Sequence, residues 1–340
     1  MINVGVIGLG VGEQHAAFYS SHQHCNLVGV YDINLPKAKE VAEKFGCPKI
    51  FSSFHEMCST KDIDLISIAS FDHHHARQVM EAINYGKAMF IEKPLCTTRA
   101  ELNEIKKLWK NRPVPLTSNL PLRAAPTFLW LRDEIQKGNF GEIYAIDGEY
   151  LYGRLAKITD GWRKDVENYS IIEGGGIHLI DLIIYLTGQH PETVSTVGNK
   201  IVTRETKFRY HDYTASTFSF KSGLIARVTA NFGSVHPHQH VLKVFGTKAT
   251  FILDDMGPRI QKLRDPLEHD NYQESFKKVQ AKPLDLSIRP SSKAALAEQL
   301  INCLLTGEDI SNLTAHEFKV MDVCLAAVKS HQSGDAVKIP

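Results

Sequence analysis

Val4-Gly5-Val6-Ile7-Gly8-Leu9-Gly10-Val11-Gly12 opens the chain as a short β-branched run that ends in three alternating glycines. A helical pattern starts near Glu13, so the order is strand, glycine-rich turn, helix. In that order the glycines carry chemistry. Backbone without Cβ atoms can approach a pyrophosphate closely, and the first amides of a helix can donate to it. The third glycine follows the second by two residues rather than three, a departure from the usual spacing. Asp32 stands at the end of the second strand candidate, about twenty residues on, where a carboxylate would accept hydrogen bonds from a ribose diol. A lone glycine turn with a surface Asp is usually only a turn, but strand, turn, helix, strand and acid together predict a dinucleotide site. The carboxylate would repel a 2′-phosphate, which favours NAD; Lys37 and Lys39 nearby leave NADP open.

Outward from this turn, Leu27 to Tyr31, Leu65 to Ala69, Ala88 to Ile91 and Val114 to Thr117 continue the strand candidates. Between them, Leu35 to Phe45, His74 to Tyr85 and Arg99 to Trp109 carry apolar residues at helical spacing. This rhythm predicts βαβ units and an α/β, doubly wound parallel sheet over residues 1–119. From about residue 120 the pattern changes. A helical stretch at Phe128 to Gln136 leads into alternating runs at Ile143 to Tyr152, Tyr213 to Phe220, Leu224 to Phe232 and His240 to Phe245, with Ser222-Gly223 as a hairpin turn. Residues 120–340 are therefore expected to form an α+β domain with a large, predominantly antiparallel sheet. Arg264 to Arg289 reads as an extended loop, and helices at Ser292 to Leu305 and Ala315 to His331 follow.

Composition narrows the class. Lys+Arg 39 against Asp+Glu 38 gives a formal charge of +1, so no overall field would attract nucleic acid or an anionic membrane. Six scattered cysteines with no CxxC pair point away from a zinc knuckle or a disulfide framework. The chain opens directly into Ile2-Asn3-Val4 without a basic leader, and no later apolar run approaches the ~20 residues that span a bilayer. The expectation is a soluble cytoplasmic protein.

Glu92-Lys93-Pro94 closes the Ala88 to Ile91 strand and delivers a lysine to a strand's carboxyl end, where open α/β sheets bind ligands. Together with the glycine turn, Asp32 and Ser70-Phe71-Asp72-His73-His74-His75, this tripeptide resembles the glucose-fructose oxidoreductase / inositol dehydrogenase / MocA family. The likeness extends to Glu173-Gly174-Gly175-Gly176-Ile177-His178-Leu179-Ile180-Asp181, which resembles that family's glycine-rich segment ending in His-x-x-Asp.

The resemblance implies a Rossmann domain that binds NAD(P), a second domain that binds substrate, and oxidation of a secondary alcohol on a sugar, polyol or nucleotide sugar, or the reverse reduction. It implies that Lys93 hydrogen-bonds the reacting oxygen and that His178 takes its proton, roles suited to a cation and to an imidazole titrating near neutrality. Gly8, Gly10, Val11, Gly12, Asp32, Ser70, Phe71, His75, Glu92, Lys93, Asn119 and Trp162 would then contact the cofactor. Asp181, Arg123, Tyr152 and Arg163 would contact the substrate. A homodimer or homotetramer through the open face of the second sheet is also implied.

Polyol-oxidising members often carry an Asp four residues before the histidine; that position here is Gly174, and Glu173 is the adjacent carboxylate. His236, His238 and His240 alternate and would share a face if extended, but Pro237 interrupts them and no carboxylate or thiolate completes a metal set, so they read as structural or substrate-facing. Two other readings compete. A Schiff-base lyase using Lys93 is disfavoured by the dinucleotide turn, and a non-catalytic dinucleotide-binding sensor is disfavoured by the presence of both Lys93 and His178.

Overall fold

In the computed structural model of the chain, residues 1–262, 282–284 and 294–340 are described. They divide into two units, Met1–Pro121 with Ser291–Asp322, and Leu122–Pro290 with Val323–Pro340.

The first unit is built on strands β1 (Ile2–Ile7), β2 (Cys25–Tyr31), β3 (Leu65–Ile68), β4 (Ala88–Ile91) and β5 (Leu116–Ser118), in the order β2-β1-β3-β4-β5. All four pairings are parallel. Every residue of β3 and β4 is buried, as in a sheet covered on both faces. Local signals set the helices between the strands. Asn34 caps Leu35–Lys44 by accepting from the Lys37 amide, and Thr98 with Glu101 forms a capping box for Arg99–Asn111. Helix His75–Asn84 buries Ala76, Val79, Ala82 and Ile83, the three-to-four residue spacing predicted for it. The strand order reverses between β1 and β3, which puts the ligand crevice outside the carboxyl ends of these strands.

A cut at residue 119 would give the whole remainder to the second domain, but Ser291–Asp322 groups with the first unit. The cause is a short edge. β5 has three residues, and Thr314 covers it by donating to the Leu116 carbonyl at 2.9 Å. Phe318 meets the Trp109 ring edge-on at 5.5 Å, and Asp322 accepts hydrogen bonds from Arg99 and, at 2.6 Å, from Lys106. Helix Ser292 to Leu305 is found as Ala295–Thr306, with Ser292 outside the described residues.

The second unit holds a nine-stranded sheet among the described residues, in the order β13-β12-β11-β10-β6-β9-β8-β7-β14. Its strands are β6 (Ile143–Leu151), β7 (Pro191–Asn199), β8 (Tyr213–Phe220), β9 (Ile225–Asn231), β10 (Gln239–Gly246), β11 (Thr250–Asp254), β12 (Gly257–Gln261), β13 (Lys282–Pro283) and β14 (Val337–Lys338). Each neighbouring pair is antiparallel except β6 and β9, which run parallel. The chain leaves β6, forms helix Ile177–Thr187, and returns through β7 and β8 before β9, a crossover long enough to permit a parallel pairing. That helix packs closely on β6: a Cβ on Gly148 would lie 3.3 Å from Leu179 Cδ1. The predicted loop Arg264 to Arg289 lies outside the described residues except for residues 282–284, where β13 pairs with β12. No helix among the described residues is long and apolar enough to cross a membrane.

Asp322→Ala removes the acceptor shared by Arg99 and Lys106. Urea unfolding is expected to show a loss of about 1–3 kcal/mol with an unchanged m-value. A loss below about 0.5 kcal/mol, the range of ordinary surface substitutions, would mean this segment adds nothing to the first unit.

Candidate functional site

Four backbone hydrogen bonds run across the carboxyl edge of the parallel sheet: Gly8 N to Tyr31 O (2.8 Å), Ala69 N to Ile7 O, Glu92 N to Ile68 O and Asn119 N to Ile91 O (each 2.7 Å). They set the turn after β1, the loop after β3, the Glu92-Lys93-Pro94 tripeptide and Asn119 side by side. Most of the predicted cofactor residues lie on this edge.

Each glycine of the turn has its own physical reason. Gly8 has φ +80°, and a Cβ there would sit 2.5 Å from the Ser70 amide nitrogen. At Gly12 a Cβ would press on Ala69 Cβ at 3.1 Å and Val6 Cγ1 at 3.2 Å, so this glycine seats the helix against the sheet. A Cβ at Gly10 would meet nothing within 4 Å, so no protein atom explains the missing side chain. Tight turn, open approach and close helix packing are the three tasks of a dinucleotide-binding turn, and the shortened spacing keeps all three. Asp32 accepts from Leu9 N at 2.6 Å and Asn34 N at 2.7 Å, bracing the turn against the end of β2. Val11, Ile33 and Leu35 stand exposed near it, and Phe71 is partly exposed, as suits an apolar base. Lys37 pairs with Glu13 (2.8 Å) and Glu40 (3.0 Å), and with Lys44 it holds Glu13 down to about 2. Of the two cations considered for a 2′-phosphate, Lys37 is therefore already paired with carboxylates, which favours NAD, and Lys39 is exposed.

Behind the edge lies a chain of polar contacts that no local spacing predicts. His15 bridges Ser67 Oγ (2.8 Å) and Glu92 Oε1 (3.1 Å), and Asn119 Nδ2 donates to the same Glu92 oxygen at 2.8 Å. Burial pushes the Glu92 carboxyl up, but the His15 and Asn119 hydrogen bonds and the charges on His15 and Lys93 outweigh it and hold the group below the usual carboxylate range. The buried Asn119 Oδ1 finds no partner, an acceptor that a carboxamide could satisfy. These residues, with Gly10 and Asp32, fit a nicotinamide dinucleotide. Ser70 Oγ donates to Gln78 at 2.7 Å. His75, predicted to touch the cofactor, is instead fully buried, with its ring nitrogens on the carbonyls of Pro94 (2.7 Å) and Ser70 (3.1 Å). It clasps the loops after β3 and β4, because a ring facing the interior has only backbone to bind.

In the second unit, His178 from helix Ile177–Thr187 stacks on Tyr150 of β6 at 5.9 Å and meets His240 of β10 edge-on at 5.7 Å. His238, Tyr152 and Phe232 complete the cluster around Tyr150. The register aligns His240 opposite Tyr150, so both share the face covered by the helix. The glycine run makes room for tyrosines: a Cβ at Gly175 would lie 2.4 Å from Tyr150 Cε1, and one at Gly174 would lie 2.2 Å from the Tyr169 hydroxyl. The space beside Gly174, the position at which an Asp was considered, is thus taken by the Tyr169 phenol. Tyr150 and Tyr169 escaped sequence analysis; the one available signal was the alternation of Tyr150 with Tyr152, the residue just past the end of β6, and Tyr169 offered none. Trp162 and Arg163 lie in a helical turn, with the guanidinium 4.6 Å over the indole.

Asp181 and Arg123, both predicted to bind substrate, are set against each other. Arg123 Nε lies 3.2 Å from Asp181 Oδ1, and the two side chains are 4% and 0% exposed. Two opposite charges buried together compensate one another. Among the described residues no group of three or more His, Cys, Asp or Glu side chains is placed to hold a metal; His236 binds the Pro237 carbonyl and Asp255.

A glycine turn at the carboxyl edge of a doubly wound sheet, joined in sequence to a mixed-sheet unit with an imidazole cluster, defines a two-domain dinucleotide-binding protein. Residues 2–120 match the GFO_IDH_MocA oxidoreductase family with its NAD-binding Rossmann fold, and residues 128–252 match the GFO/IDH/MocA C-terminal domain. The chain belongs to this family, and its first unit is the family's NAD-binding Rossmann domain. It is 24% identical over 266 residues to myo-inositol 2-dehydrogenase of Thermotoga maritima, covering 75% of this chain and 76% of that protein. It is 26% identical over 262 residues to 2,7-anhydro-N-acetylneuraminate hydratase of Escherichia coli, covering 75% and 68%. The solved structure of levoglucosan dehydrogenase with NADH and L-sorbose shares the fold with a TM-score of 0.84 at 20% identity, over 100% of this chain and 99% of that one.

Two glycine variants separate turn geometry from ligand approach. Gly10→Ala is expected to leave the melting temperature unchanged and to weaken NADH binding about tenfold or more in a fluorescence titration. Gly8→Ala should lose at least about 1–2 kcal/mol of stability as well. Equal NADH affinity for Gly10→Ala and the parent would remove the dinucleotide from this turn. In the second unit, Asp181→Leu strips the buried guanidinium of this carboxylate and is expected to cost about 3–5 kcal/mol in chemical denaturation.

Proposed function

We propose that this protein is an NAD-dependent oxidoreductase that moves a hydride between the cofactor and a secondary alcohol or ketone of a sugar, polyol or nucleotide sugar. The observation that carries this reading is the shared level of Gly8, Glu92 and Asn119 on the carboxyl edge, with Lys93 directly after Glu92. The names of the inositol and levoglucosan dehydrogenases support the substrate class.

Gly8, Gly10, Gly12, Asp32 and Asn119 would hold NAD, with Val11, Ser70, Phe71 and Trp162 as further contacts. When bound, NAD supplies a nicotinamide carbon able to accept or return a hydride. Lys93 places a cation beside the reacting oxygen and stabilises the developing alkoxide, and His178 takes the hydroxyl proton. Glu92, held below the usual carboxylate range by His15 and Asn119, places negative charge on the residue next to Lys93. Tyr152 and Arg163 would line the substrate side, whereas Asp181 and Arg123 act by fixing the helix that carries His178.

A cytoplasmic homodimer or homotetramer completes the proposal. The outward positions of the central strands carry Asp147, Glu149, Arg227 and Thr229, with an Arg227 to Asp147 contact of 3.1 Å, so an interface there would be polar. Light scattering at micromolar concentration should report more than one chain per particle, and a monomer would reject the assembly.

A panel of sugars, polyols and nucleotide sugars with NAD or NADP, followed by reduced-nicotinamide absorbance, should yield at least one substrate, with NAD preferred. Lys93→Ala and His178→Ala are expected to lose about 100-fold or more in kcat while still binding NADH. Full turnover by either folded variant would refute its assigned role.

A further inference from the structure

The cluster around Tyr150 contains a group for which neither the fold nor the reaction just described accounts. His240 lies on β10 opposite Tyr150, its ring 5.1 Å from the Tyr150 ring, 5.1 Å from His238 and 5.7 Å from His178. Its Nε2 is buried and finds no hydrogen-bond partner. A buried polar nitrogen without a partner destabilises the fold, and a purely structural position would be filled better by an apolar ring. The neighbours do not explain it. The rings against it are those of Tyr150, His178 and His238, and none gives this nitrogen a hydrogen bond.

We propose that His240 is a substrate-binding residue whose imidazole takes a hydroxyl of an uncharged cyclic polyol or sugar. The inference rests on the hydride-transfer reading and names the substrate class of that site. Two features carry it. The nitrogen needs a partner that the protein does not supply, and His238, an exposed ring 5.1 Å away, places His240 next to the surface of the cluster. A neutral imidazole can donate at one nitrogen and accept at the other, which suits a hydroxyl, itself both donor and acceptor. Burial, followed by the charge of His238, pushes the His240 imidazole down to about 4, so the ring is uncharged at neutral pH and offers no charge to a carboxylate or phosphate. The charged groups that bear on this cluster are Arg154, 5.8 Å over Tyr152, and Arg163, 5.9 Å over Tyr169. His238 is also pushed down, by burial and by Arg154.

The test uses the full-length protein saturated with NADH and labelled with nitrogen-15 at histidine. It is titrated with myo-inositol, levoglucosan and methyl glucoside, and with glucuronate as the charged arm. The expected result is that at least one uncharged compound binds and moves the imidazole signals that vanish in His240→Phe. His240→Phe should bind that compound at least about tenfold more weakly, with His240→Gln between the two, while NADH affinity is unchanged and the melting temperature is equal or higher. If His240→Phe folds poorly, His240→Gln against the parent carries the comparison. Binding that leaves the His240 signals in place, equal affinity in the variants, binding of glucuronate alone, or no binding by any of the compounds would each overturn the proposal. Failure of the parent to bind NADH would instead defeat the dehydrogenase reading, and this inference with it.

Discussion

The backbone ladder that continues one step past the strand ends of the parallel sheet is the constraint on which the first unit depends. A parallel sheet hydrogen-bonds each strand to both neighbours, so extending the ladder through Gly8, Ala69, Glu92 and Asn119 brings four chain segments to one level without any side chain choosing it. Side chains then secure the arrangement. Asp32 ties the glycine turn to the end of β2, His75 clasps the two loops after β3 and β4, and His15 links the first helix to Glu92. The lysine is thereby delivered on a rigid element, as chemistry sensitive to about 1 Å requires.

The second unit solves a different problem. Its helix carries the imidazole proposed for proton transfer, and it must approach strands that bear large aromatic rings. Gly174 and Gly175 permit this by leaving space that the Tyr169 hydroxyl and the Tyr150 ring occupy. The helical turn there is of the wide, π type, Ile172–Gly176, a feature often found where function displaces regular packing. Glycine at these two positions is therefore required by the neighbours, whatever a carboxylate there would have done for the reaction.

Much of this was legible because it is local. Strand, turn and acid can be read from spacing, and β3 and β4 from unbroken apolar runs. β7 escaped because only Val194 and Thr196 of its central residues turn inward, leaving a polar run with little alternation to detect. The parallel pairing of β6 with β9 and the return of residues up to Asp322 to the first unit are matters of topology, which periodicity cannot report. The paired roles of Arg123 and Asp181 depend on contact across 58 positions, and that of His15 and Glu92 across 77. Arg123, Asp181 and Glu92 each read alone as a ligand contact and His15 gave no signal, since a charged side chain near a motif reads the same whether it faces a ligand or another charge.

Electrostatics then limits where acid–base work can fall. Glu92 is engaged by His15 and Asn119 and held ionised, so it has little tendency to accept a proton near neutrality. Asp181 sits fully buried against the Arg123 guanidinium. Glu92 and Asp181 are thus both engaged within the protein, in contrast to sites where a raised carboxyl acts as the acid. Imidazole and ammonium remain as the groups suited to proton movement. Of the imidazoles clustered around Tyr150, His240 and His238 are pushed toward the neutral form by burial, which leaves His178 as the one of the three for which proton uptake is proposed.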